Sequence, residues 1–143
     1  MGYFKTSDRI IPGVVFIISF IVFFITKVPT IYWWDSGLAV TASYTLGIPN
    51  SPAFPIFVLI GRIFSLIPFY REISLRVNLI VLLSGALTAT FVYLIISNLV
   101  KRFITDLSLL DGKFLIYSSG IIGALSLTFS YSFWRHSLYS QVH

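Results

Sequence analysis

Between Arg76 and Lys101 the chain carries no charged side chain. At about 1.5 Å of rise per residue, a helix over residues 74–100 covers roughly 30 Å of hydrocarbon with some tilt. Composition extends this constraint to the rest of the chain. With 57% apolar, 17% aromatic and only 10% charged residues and a mean hydropathy of +0.91, there is too little polar surface to clothe a water-soluble globule. The expected fold class is an all-α integral membrane protein forming one membrane domain, residues 1–143. The net charge of +5 is not a nucleic-acid signal, because the Lys and Arg residues cluster at the ends of apolar runs, where lipid head groups meet them. With no Cys, disulfides, thiol nucleophiles and Cys-based metal sites are excluded together.

Three further apolar runs differ in character. Residues 10–26 follow Lys5 and Arg9 and lie near the lower limit of roughly 17–25 residues for a span. No small-residue cleavage site follows, so a retained signal anchor with a cytoplasmic N-terminus is expected. Residues 114–133 form another expected span, with Gly120, Gly123 and Ala124 as a small face for close helix contact. The run from Phe54 to Phe69 carries Arg62 near its centre and Pro68 near its end. An arginine in mid-bilayer costs about 2.5–3.5 kcal/mol on insertion scales, so this run fits an interfacial or re-entrant helix. Ser36 to Leu46 is too short and polar to span; it reads as a surface helix stopped by Gly47 and Pro49.

Two topologies follow. In one, three spans (10–26, 74–100 and 114–133) bracket an external loop over residues 27–73 that holds the interfacial helices. In the alternative, Phe54 to Phe69 also crosses, giving four spans. Counts of Lys and Arg near the span ends are almost level between the two, so the positive-inside rule does not decide. The centred Arg62 favours three.

Trp33-Trp34-Asp35-Ser36-Gly37 places a carboxylate at the expected water–lipid boundary. Such a group is costly there unless solvated, capping a helix, or working. Asp35 precedes a helix and serves either as its N-cap, with Ser36 assisting, or as a functional acid. Trp33 and Trp34 read as interfacial anchors or as a sugar-stacking platform. Arg62 and Arg76 either snorkel to head groups or bind an anion, and Asn78 reads as an interhelical hydrogen-bonding residue or a substrate ligand. His136 and His143 have no acidic neighbour in sequence, so no metal site is expected. No phosphate-cradling loop, nucleophile elbow or paired carboxylates occur.

Five blocks carry a resemblance. Thr30-Ile31-Tyr32-Trp33-Trp34-Asp35-Ser36-Gly37, Leu46-Gly47-Ile48-Pro49-Asn50-Ser51-Pro52-Ala53-Phe54-Pro55, Leu59-Ile60-Gly61-Arg62-Ile63-Phe64, Arg76-Val77-Asn78-Leu79 and Ser132-Phe133-Trp134, in this order and spacing, resemble a group of bacterial membrane proteins. That group is similar to the eukaryotic endoplasmic-reticulum protein O-mannosyltransferase of the transmembrane-protein type, and so to lipid-dependent glycosyltransferases of the GT-C fold. The resemblance implies a GT-C-like N-terminal portion in a prokaryotic plasma membrane. It also implies transfer of a sugar from a polyprenyl- or dolichyl-phosphate carrier to an acceptor hydroxyl. The family's Asp-Ser-Gly-Glu motif puts the general base at Asp35. The implied substrate contacts are Trp34, Ser36, Asn50, Arg62, Arg76, Asn78, Trp134 and Gln141, with the two arginines facing the leaving phosphate.

Departures from the pattern bear on activity. The Glu after Asp-Ser-Gly is Leu38, His-Pro-Pro-Gly is Asn50-Ser51-Pro52-Ala53, and Ala-Glu-Val-Tyr is Ser140-Gln141-Val142-His143. An amide at Gln141 hydrogen-bonds but is no base. The chain also stops inside the last motif, where family members carry many more spans, which points to a fragment, a truncated product or a degenerate copy. Two functions are therefore expected as alternatives: the N-terminal module of a lipid-phosphate-sugar-dependent O-mannosyltransferase-like enzyme, or a non-catalytic assembly partner or inactive remnant. The expected partners are the lipid-linked sugar, membrane lipids, and the remainder of a longer chain or a partner subunit. Nucleic acid is not among them, no cofactor beyond the lipid-linked donor is expected, and a divalent cation stays open.

Overall fold

The computed structural model describes residues 7–27, 35–48, 55–68, 70–103 and 109–138. Among them the regular structure is α-helical throughout: α1 Ser7–Thr26, α2 Asp35–Thr45, α3 Pro55–Leu66, α4 Ile73–Phe103, α5 Leu109–Thr128 and α6 Tyr131–His136. Among the described residues α4 is the helix that by itself is long and apolar enough to cross a membrane; Ile10–Thr26 and Pro55–Leu66 are shorter apolar helices. With 31 residues, α4 measures about 46 Å, well over the ~30 Å hydrocarbon thickness. Only 33% of its apolar window is buried within the protein, whereas the core helix of a soluble domain would be covered on most sides.

The chain divides into two compact units. The first comprises Met1–Val22 and Gly85–Trp134, the second Phe23–Ser84 and Arg135–His143, so α1 and α4 contribute to both. In the first unit Val15, Tyr93 and Ala124 form a buried cluster with Ile11, Leu94 and Ile121 around it. Small residues let these helices approach. A Cβ on Gly120 would lie 2.8 Å from the Tyr93 ring carbons, and one on Gly123 would overlap Ile96 Cδ1. Ser19 Oγ and Thr128 Oγ1, both fully buried, are hydrogen-bonded at 3.1 Å. That pairing ties α1 to α5 and leaves neither hydroxyl unmatched in an apolar interior.

The opposite faces of these helices are apolar and outward. Val14, Ile17, Ile18 and Ile21 on α1 and Leu87, Phe91, Ile95 and Leu99 on α4 are exposed at helical spacing. Helices apolar on both sides are the pattern of a lipid environment.

The last apolar run has different bounds from the expected 114–133. It is helical from Leu109, through the charged stretch before Phe114, and stops at Thr128. Thr128 Oγ1 bonds back to the Ala124 carbonyl at 2.9 Å. Ser130 then starts α6 as its cap, its carbonyl accepting from the Trp134 amide at 2.8 Å.

In the second unit α2 packs against α3. The buried side of α2 carries Ser36, Ala39, Val40, Ala42 and Ser43, and that of α3 carries Val58, Gly61 and Ser65. Their crossing point is Ser43 against Gly61: a Cβ on Gly61 would lie 2.7 Å from Ser43 Cβ, closer still to its Oγ, and 3.7 Å from Val77 of α4. Ser43 Oγ donates to the Ala39 carbonyl at 2.7 Å, so the hydroxyl is satisfied within its own helix.

Candidate functional site

α2 begins at Asp35, and that backbone position is what the structure supplies for the expected base; its side chain, with Trp34, Asn50 and Gln141, lies outside the described residues. Ser36 is buried at 1% exposure on the face that meets the rest of the second unit. Leu38, where the resemblance expects an acid, is 37% exposed, so an apolar side chain occupies surface next to the first turn of α2.

Helix α2 ends in a Schellman arrangement. Leu46 takes φ 55°, and the Gly47 amide donates to the Ala42 carbonyl at 3.0 Å. The left-handed residue is thus Leu46 rather than the neighbouring glycine, at a steric cost of roughly 1–2 kcal/mol for a residue with a Cβ. Another carbonyl of that last turn, Tyr44 O, accepts from Arg62 Nη1. The guanidinium also lies 5.6 Å from the Tyr44 ring centre, within cation–π range. Arg62 therefore sits on the negative end of α2, where a cation is favoured.

Arg76 does the same for α3. Its Nη1 donates to the Ser65 carbonyl at 2.9 Å, one of the final-turn carbonyls that α3 cannot satisfy internally. Its Nε donates to the Tyr70 carbonyl at 2.7 Å. Ser65 Oγ in turn donates to the Arg62 carbonyl at 2.7 Å. A series of hydrogen bonds along α3 thus links the Arg62 main chain to the Arg76 guanidinium, and both guanidinium groups already serve main-chain oxygens. Neither is fully enclosed, and a guanidinium has five N–H donors, so each keeps donors for an anion.

Lys27 was not among the expected site residues. It follows the last residue of α1, is half-buried, and donates from Nζ to the Tyr70 hydroxyl at 3.4 Å. The ammonium lies 3.6 Å from the Phe24 ring centre and 4.6 Å from that of Tyr70. Tyr70 is thus held at both ends, its carbonyl by Arg76 and its hydroxyl by Lys27. The signal available in the sequence was only the position of Lys27 at the end of an uncharged run, which reads as a head-group anchor.

The remaining expected contacts fall in different places. Asn78, at 2% exposure, is buried on α4 in the second unit. Trp134 is half-buried on α6 and belongs to the first unit. Among the described residues no three His, Cys, Asp or Glu side chains gather to hold a metal ion.

Comparison with known proteins adds sequence-level findings. The family model described as Protein O-mannosyl-transferase TMEM260 N-terminal domain matches residues 35–143. The chain is 29% identical over 109 residues to Protein O-mannosyl-transferase TMEM260 of Mus musculus, a match covering 76% of the chain and 13% of that protein. It is 22% identical over 129 residues to Protein O-mannosyl-transferase tmem260 of Dictyostelium discoideum, covering 89% of the chain and 14% of that protein. The chain thus spans a small part of the length of these curated relatives. No solved structure matches it.

Proposed function

The chain belongs to the Protein O-mannosyl-transferase TMEM260 N-terminal domain family, and from that membership we propose that it is the N-terminal module of a membrane glycosyltransferase moving a sugar from a polyprenyl-phosphate carrier to an acceptor hydroxyl. The family match across residues 35–143 carries this reading. In the proposed step the Asp35 carboxylate takes the proton of the acceptor hydroxyl. The freed oxygen bonds to the anomeric carbon, and the bond from that carbon to the carrier phosphate breaks, its electron pair leaving with the phosphate. The spare N–H groups of Arg62 and Arg76 face the charge that builds on the leaving phosphate. A hydroxyl is a weak nucleophile and a phosphate a charged leaving group, so the step needs both a base and cations.

The topology we assign has three spans, with residues 28–72 on one side of the membrane. The Lys27–Tyr70 contact of 3.4 Å supports it, because it joins the end of α1 to the start of α4. Had the intervening α3 crossed, those two ends would be separated by about 30 Å of hydrocarbon. The length of α3 agrees: 12 residues rise about 18 Å, short of a crossing.

The test is transfer by membranes carrying the protein, supplied with radiolabelled polyprenyl-phosphate sugar and a hydroxyl acceptor. Transfer by the wild type that is abolished in Asp35→Asn supports the reading; equal transfer by both removes Asp35 from the step. A second reading, a non-catalytic assembly partner, is favoured by the exposed Leu38 where an acid would be expected. Absence of transfer by the wild type would select it.

A further inference from the structure

Lys27 is held in an unusual way for a lysine at the end of an apolar helix. Its ammonium is half-buried, lies over the faces of Phe24 and Tyr70, and has as its hydrogen-bond partner a neutral hydroxyl at 3.4 Å. Among the described residues no carboxylate lies within ion-pair reach of it. The segment that carries Tyr70 adds charge of the same sign. Arg71, next to Tyr70, is exposed, and Arg76 grips the Tyr70 carbonyl. Counting Lys27, Arg71 and Arg76 as +3 and the exposed Glu72 as −1 gives +2 around one tyrosine.

We propose that the Lys27 ammonium and the Tyr70 hydroxyl form a site for the phosphate of a lipid, at the point where α1 ends and α4 begins. Three physical features support it. An ammonium has three N–H donors, and one bond at 3.4 Å is longer than the usual 2.7–3.2 Å range, so donors remain for a stronger acceptor. A phenol that accepts from Lys27 still has its own proton to donate, so two donors converge on one anion oxygen set. Third, Arg76 holds the Tyr70 main chain and Lys27 its hydroxyl, so the phenol is anchored at both ends before any ligand arrives. Lys27 and Tyr70 are the direct ligands; Arg76 positions Tyr70 through its carbonyl and keeps its remaining N–H groups for the same phosphate. The aromatic faces hold the cation at the edge of the apolar zone, where the phosphate of a lipid lies and its acyl or prenyl chain can follow α1 and α4.

A lipid phosphate has two sources with the same chemistry, a polyprenyl phosphate or a phospholipid head group. The first deepens the sugar-transfer reading and rests on it; the second stands without it. The experiment uses the full chain in phosphatidylcholine nanodiscs and measures retention of added lipid by native mass spectrometry. Short-chain polyprenyl monophosphate, phosphatidylglycerol and inorganic phosphate serve as the three probes. Lipid-phosphate binding weakened about tenfold or more in Lys27→Gln and several-fold in Tyr70→Phe, and retained in Lys27→Arg, is the expected result, in line with loss of one charge-assisted and one neutral hydrogen bond. A lysine that merely reaches head groups would be indifferent to the Tyr70 hydroxyl. Preference for the polyprenyl probe identifies the carrier as the source, and equal competition by phosphatidylglycerol identifies the head group.

Unchanged binding in Lys27→Gln, or binding of inorganic phosphate alone, overturns the site. Circular dichroism and melting of each variant show that the fold is kept, and Lys27→Arg controls for it. If transfer persists while Lys27→Gln binds normally, this site falls and the Asp35 reading stands; Lys27-dependent binding without any transfer has the opposite consequence.

Discussion

Replacing Gly61 by Ala puts a methyl group at the crossing of α2 and α3, where it would lie 2.7 Å from Ser43 Cβ. Carbon atoms rest at about 3.5–4.0 Å, so the new contact is short by about 1 Å. Its obstacle is a Cβ and not the tip of a flexible chain, so the two helices have to part. Overpacking of this kind costs about 1–3 kcal/mol, and the rigidity of the obstacle places it in the upper half of that range. Ala regains roughly 1 kcal/mol over Gly in a helix interior. The net expectation is a loss of about 1–2 kcal/mol, read by thermal or denaturant unfolding of the detergent-solubilised protein. Ser43→Gly clears both the Oγ and the Cβ, so the double variant Ser43→Gly/Gly61→Ala recovers most of the loss, a coupling measurable as a double-mutant cycle. If Gly61→Ala is as stable as the wild type, or the double variant is no better than the sum of the singles, the helices do not cross this closely.

Three other outcomes follow from the same geometry. Leu46→Gly removes a side chain from a left-handed position (φ 55°) and should stabilise by about 0.5–1 kcal/mol after the added freedom of the unfolded chain is subtracted; a lower melting temperature would count against the strain. Arg76→Gln removes charged donors from the Ser65 and Tyr70 carbonyls and should cost roughly 2–3 kcal/mol. Arg76→Lys should recover only part of this, because a single ammonium does not reproduce the fork, and full recovery in an unfolding assay would remove the two-carbonyl clamp. For topology, Thr45→Cys and Arg71→Cys flank α3 at exposed positions and should react with an impermeant thiol reagent from the same side of the membrane, with Arg102→Cys reacting from the other. Labelling of the first two from opposite sides would establish a crossing α3.

How much was readable beforehand depended on whether a feature is local. The uncharged stretch before Lys101 identifies α4 because span length is a property of one segment, and the apolar run around Arg62 forms a helix, α3, of only 12 residues. The end of α5 was not readable. Phe129 and Tyr131 continue the apolar run, and what stops the helix is Ser130 taking the cap, beside a Thr128 whose hydroxyl is matched by Ser19, a residue far away in sequence. The stop of α2 was located correctly but credited to Gly47, when Leu46 makes the reversal.

For the arginines, residue type suggested a phosphate partner. The structure gives each a main-chain carbonyl brought close by the α2–α3–α4 turns, which no spacing rule predicts. The side chains of Asp35, Trp34, Asn50 and Gln141 lie outside the described residues, so that part of the expected pocket is legible only as sequence.

A guanidinium seated on a helix tail is a dressed charge. The C-terminal end of a helix carries about half an elementary negative charge, so seen from a distance Arg62 on α2 and Arg76 on α3 each project only part of their nominal field. Arg71, exposed in the connecting segment, projects more of its own. An approaching anion therefore feels Arg71 from a distance, and the seated guanidinium groups of Arg62 and Arg76 mainly at close range.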